Sequence, residues 1–117
     1  HNNLGNLYLE KGWNEKALEQ FKQALKEDTG LVEVYNNIGL AYLNLGRYEE
    51  AIAAYTKGLK ISPETPQLYL NLGVVYEKQG LIEKAIEEYG RALALRPNYE
   101  KARKNIEELL QRRQNEK

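Results

Sequence analysis

Apolar residues along this chain fall in paired helical stripes. Leu4, Leu7 and Tyr8, with the stem of Lys11, follow the three-to-four-residue spacing of one helix face. After a break at Gly12, Ala17, Leu18, Phe21, Ala24 and Leu25 follow it again. Two stripes about a glycine predict a helix hairpin. Gly46 and Gly80 interrupt the later stripes in the same way, and a glycine there supplies the left-handed residue that stops a helix sharply. Glu15, Glu49, Glu50 and Glu83 open the second helices, where the helix dipole favours negative charge. Thr65 and Pro66 predict a helix start, while Gly30, Pro63 and Pro97 predict ends.

The pattern repeats at a fixed step. Gly5, Gly39 and Gly73 are 34 residues apart, and the same step links Tyr8, Tyr42 and Tyr76. It also links Ala17, Ala51 and Ala85, and Phe21, Tyr55 and Tyr89. A hairpin of this period with Leu-Gly, Tyr, Ala, an aromatic, Ala and Pro in order resembles the tetratricopeptide repeat (TPR). The resemblance implies an all-α fold, a right-handed α-solenoid of three helix hairpins plus a C-terminal capping helix, about seven helices in all. The expected organisation is one domain over 1–113, with a loose tail at 114–117. The first repeat, 1–31, is read as N-terminally truncated; the second spans 32–65 and the third 66–99. The cap spans 99–113, where Glu107 replaces the repeat glycine and so precludes a close partner helix. At Gly39 an added methyl is expected to enter a filled contact between paired helices, with Ala17, Ala51 and Ala85 facing the glycines.

Composition narrows the function. Seventeen Lys and Arg balance seventeen Asp and Glu, so no net field draws the chain to nucleic acid or an anionic membrane. Without cysteine there is no disulfide, thiolate metal site or thiol nucleophile. No apolar run approaches the roughly 20 residues that cross a bilayer, so no membrane insertion is expected. No targeting signal is visible, and a soluble, cytoplasmic setting is the expectation. Phosphate loops, zinc spacings and nucleophile elbows are absent, and Glu49-Glu50 and Glu87-Glu88 read as solvated helix surface. The expectation is a protein without catalytic residues, cofactor or metal. Trp13 at the first hairpin turn reads as a partly exposed packing residue.

In stacked hairpins the first helices line a concave wall. The positions turned away from the core stripes are Asn3 and Asn6, then Asn36, Asn37, Leu40 and Leu43, then Asn71 and Val74, and Asn105 in the cap. Leu70 joins them as an expected seat for ligand side chains. Asn3, Asn37, Asn71 and Asn105 share one register, although Asn inside a helix costs about 0.5 kcal/mol against Ala. An amide carries donors and an acceptor together, which suits a peptide backbone. Helices about 8–10 Å apart match roughly three residues of an extended peptide. The ladder resembles the asparagine array of the O-linked N-acetylglucosamine transferase repeat domain, which implies a backbone-binding role for these four residues. A bridge between adjacent helices is the other reading of the same amides. Chaperone-binding members of the family hold a carboxylate with a Lys-Asn-Asn-Lys-Arg clamp. The matching places here are Asn2, Asn6, Asn37, Gln67 and Asn71, without a cation among them.

The expected function is therefore a non-enzymatic scaffold or adaptor that holds an extended peptide or another protein in the groove. Two alternatives stay open. One is a self-assembling module, a homo-oligomer docked through an exposed N-terminal hairpin face near Leu4, Leu7 and Leu18. The other is an auxiliary substrate-binding domain of a larger enzyme.

Overall fold

The computed structural model describes residues 2–28 and 30–115. It contains α1 (Asn2–Glu10), α2 (Asn14–Glu27), α3 (Val32–Asn44), α4 (Tyr48–Ile61), α5 (Pro66–Lys78), α6 (Ile82–Leu95) and α7 (Glu100–Asn115). No strand occurs among the described residues. The fold is an all-α helical repeat of three hairpins followed by a capping helix. Each hairpin turns at the expected glycine. At Gly12, φ is +80°, the Trp13 N–H donates to the Tyr8 carbonyl at 2.9 Å and the Gly12 N–H to Leu9 at 3.0 Å. This pair of bonds satisfies two orphan carbonyls at the helix end, and only a left-handed residue permits it. Gly46 and Gly80, at φ +76° and +80°, repeat the arrangement. Thr65 precedes Pro66 at the start of α5 but makes no side-chain capping bond, so proline's fixed φ is what favours that start.

Cα packing divides the chain into two compact units, His1–Pro63 and Glu64–Lys117. In the first, α1 packs on α2, α2 on α3 and α3 on α4. Phe21, Val34 and Tyr55 are fully buried there. The glycines of α1 and α3 meet aromatic rings rather than the alanines expected from sequence. A Cβ on Gly39 would stand 2.4 Å from Tyr55 Cε1, and one on Gly5 would stand 2.5 Å from Phe21 Cε1. The ring one turn beyond each alanine is long enough to reach across the hairpin, which a methyl is not. Leu4 and Leu7, read as core, are 40% and 47% exposed, because α1 meets α2 and, lightly, α3, and no other helix covers that side among the described residues. Leu18, expected on an exposed face, is instead buried. Trp13 is about half exposed, its ring 5.7 Å from Tyr8, with the Lys11 and Lys16 ammonium groups 5.3 and 5.1 Å from its centroid.

In the second unit α5 packs on α6 and α6 on α7, around Leu70, Ala85, Tyr89, Ala92, Ala102 and Leu109. Leu70 is 1% exposed, so it is core and seats no ligand; it packs with Ala85, Tyr89 and Ala92 of α6 and with Ala102 and Leu109 of α7. Glu88, read as solvated, is 8% exposed and receives Arg91 Nη1 at 2.6 Å on its Oε2. The cap is tied by charges. Arg112 Nη2 donates to Glu77 Oε2 at 3.0 Å, and Arg113 pairs with Glu83. Helix α7 continues past 113 through Asn115, while positions 116 and 117 of the expected tail lie outside the described residues.

Candidate peptide-binding face

Helix α3 has two unlike sides. Val34, Ile38, Ala41 and Tyr42 are buried, whereas Asn36, Asn37, Leu40 and Leu43 are half-buried and Asn44 is exposed. A thirteen-residue helix with β-branched and aromatic residues on one stripe and amides on the other folds with the amides outward. Across from α3, Asn6 on α1 is half-buried and Asn3 is exposed. The Asn37 amide nitrogen donates to Asn6 Oδ1 at 2.7 Å, so this amide of the ladder spans two first helices. Asn37 keeps a second N–H and its own carbonyl oxygen, enough to pair with a peptide unit. Asn44 likewise donates to Asn14 Oδ1 at 3.1 Å.

In the second unit Asn71 and Val74 are half-buried on α5, and Asn105 is half-buried on α7. Val74, Glu77, Lys78, Tyr89, Asn105 and Arg112 line a cleft of ≈ 310 Å³. Its floor is a hydrogen-bonded chain. The Tyr89 hydroxyl donates to Glu77 Oε1 at 2.7 Å, Arg112 holds the other carboxylate oxygen, and Asn105 lines the cleft beside them. Burial first, and then the bond to Glu77 and its charge, push the Tyr89 phenol well above its ordinary pKa. The protonated Tyr89 hydroxyl is thus held as a donor to Glu77. The signal for this network was present in the register. Leu9 and Leu43 occupy the first two repeats where Glu77 occupies the third, opposite a buried phenol.

At the equivalent Tyr55 the place of Glu77 is taken by Leu43, and its buried hydroxyl has no hydrogen-bond partner among the described residues. Desolvation raises its pKa as well. Among the described residues no group of three or more His, Asp or Glu is placed to hold a metal ion. None of the described helices is long and apolar enough to cross a membrane.

Comparison with known proteins agrees with this architecture. The TPR repeat family profile matches residues 5–46 and 42–80, and the tetratricopeptide repeat profile matches 66–99. A search of curated protein sequences returns no significant match. The first TPR of Spaghetti (RPAP3) bound to the HSP90 peptide SRMEEVD is 21% identical, with a TM-score of 0.87 over 94% of this chain and 87% of that one. The Arabidopsis OM64 TPR domain is 24% identical, with a TM-score of 0.85 over 92% of this chain and 89% of that one. The Yersinia enterocolitica type III secretion translocator chaperone SycD is 17% identical, with a TM-score of 0.88 over 97% of this chain and 83% of that one. By its repeat profiles, its glycine-turned hairpins and its capping helix, the chain belongs to the tetratricopeptide repeat family.

Proposed function

We propose that this chain is a non-enzymatic scaffold that holds an extended peptide on its first-helix face. The contacts are Asn3, Asn6, Asn36, Asn37, Leu40 and Leu43 in the first unit, and Asn71, Val74 and Asn105 in the second. The observation that carries this reading is the outward side of α3. Its amides Asn36 and Asn37 and the half-buried Leu40 and Leu43 share that side, offering backbone hydrogen bonds beside apolar seats. The Spaghetti (RPAP3) domain of the same fold is bound to an HSP90 peptide, which supports a peptide as the kind of ligand. A carboxylate-terminated chaperone tail is not the ligand expected here, because the clamp places hold Asn2, Asn6, Asn37, Gln67 and Asn71, none of them charged. Recognition through amides reads the backbone and tolerates many side chains.

Isothermal titration with peptides selected by display against the intact chain tests this. Replacing Asn37, Asn71 and Asn105 together by Ala is expected to weaken binding by about 0.5–1.5 kcal/mol per amide, with helicity unchanged. Unchanged affinity in that variant removes the proposed contacts. A second reading, self-association, is favoured by the exposed Leu4 and Leu7. Light scattering over a concentration series separates the two: a constant monomer mass rejects self-association.

A further inference from the structure

We propose a second docking site, on the other side of α3, that takes an acidic peptide segment carrying an apolar side chain beside its carboxylate. It goes beyond the first-helix face and lies wholly within the His1–Pro63 unit. Tyr35, Ile38 and Tyr42 recur at helical spacing opposite Asn36, Asn37 and Leu40. With Leu25, Ala53 and Ala54 they floor a cleft of ≈ 320 Å³. Three charged groups stand at its edge, Lys22 from α2 and Glu50 and Lys57 from α4. Glu50 is already matched, since the Arg47 guanidinium holds both its carboxylate oxygens at 2.7 and 2.9 Å. No ion pair engages Lys22 or Lys57 among the described residues, and both are exposed beside the apolar floor.

The chain itself shows what such a place takes. One repeat later, Ala54 is replaced by Glu88 and Lys57 by Arg91. There the carboxylate is 8% exposed and lies 2.6 Å from its cation. In the first unit the alanine carries no carboxylate, and the lysine one turn away stays unmatched. A partner's carboxylate supplies for Lys57 and Lys22 what Glu88 supplies for Arg91. The apolar floor between the lysines adds the second requirement, a leucine or aromatic ring next to the acid. A bare anion meets only half of the site, because it leaves the apolar floor of Tyr35, Leu25 and Ile38 uncovered.

Fluorescence anisotropy with a labelled peptide, EEFLEEL, capped at both ends, is the test, with QQFLQQL as its neutral counterpart. The acidic probe is expected to bind the intact chain at least about tenfold more tightly than the neutral one. Ala54→Glu copies the second-unit residue and should abolish binding while leaving the melting curve nearly unchanged. The double variant Lys22→Glu/Lys57→Glu alters only exposed side chains and should also lose about tenfold or more, so a misfolded Ala54→Glu protein leaves the proposal testable. Asn37→Ala/Asn71→Ala/Asn105→Ala should bind the probe normally, which separates this site from the first-helix face. Equal binding of the two probes, full binding by the charge-reversed variant, or no measurable binding overturns it. Amide shifts centred on Asn37, Leu40 and Leu43 instead of Ala53, Ala54 and Lys57 overturn it equally.

Discussion

Adding one methyl at Gly39 tests how the hairpins are held together. The added Cβ would lie 2.4 Å from Tyr55 Cε1 and 2.6 Å from both Cδ1 and Cζ. Carbon atoms in contact normally stay about 3.5–4.0 Å apart, so the ring must retreat by roughly an ångström. Tyr55 is fully buried, and protein interiors packed at crystal-like density leave few voids for a ring to retreat into. Overpacking of this kind costs about 1–3 kcal/mol, and severe overlap with three ring atoms argues for the upper part of that range. Helix propensity returns about 1 kcal/mol for Gly to Ala, leaving a net loss of about 2 kcal/mol. Gly90, inside α6, is the control, because among the described residues no atom beyond its own stretch of helix lies within 4 Å of a Cβ built there. Gly90→Ala should gain about 1 kcal/mol, the propensity term alone. Urea denaturation followed by far-UV circular dichroism measures both free energies, and in thermal melts each kcal/mol should move Tm by about 4 °C. A Gly39→Ala protein as stable as the parent, or a Gly90→Ala protein less stable than it, refutes the packing argument.

Three further outcomes are expected. Tyr55→Phe removes a buried hydroxyl that has no partner among the described residues and should stabilise by about 1 kcal/mol in urea, whereas Tyr89→Phe forfeits the bond to Glu77 and should destabilise by a similar amount. Alkali should weaken the fold: both phenols titrate above their ordinary value when folded and near pH ~10 when unfolded. Stability is therefore full below pH ~10 and falls above it by about 1.4 kcal/mol per pH unit for each tyrosine, read as urea midpoints against pH; Tyr55→Phe should remove one share of that slope. A double-mutant cycle on Asn6 and Asn37 should return a coupling of about 0.5–1.5 kcal/mol, and a coupling near zero would mean that their 2.7 Å bond adds nothing to stability.

The hairpins were legible because period and chirality are local. A glycine at each break and a helical stripe on either side dictate turn and face, and Gly12, Gly46 and Gly80 take the positive φ that this reading needs. Burial was less legible, since it depends on which helix covers a stripe. Leu4 and Leu7 carry the core pattern but, among the described residues, no helix beyond α2 and α3 covers α1, whereas Leu70 lies on a first helix yet is sealed by its neighbours. Long side chains defeated wheel arguments for a different reason. Tyr55 and Tyr89 reach across their hairpins to the repeat glycines, and Glu88 folds against its own helix to meet Arg91. The amides stood in register in sequence, but the bond from Asn37 to Asn6 depends on the separation of α1 and α3, which no single-helix pattern contains.

Amide shift mapping by two-dimensional NMR, on adding a display-selected peptide to the intact chain, tests the central proposal most directly. The account predicts the largest changes at Asn36, Asn37, Leu40 and Leu43 on α3 and at Asn71, Val74 and Asn105 in the second unit. Changes confined to the second helices α2, α4 and α6, with those residues unmoved, would contradict it.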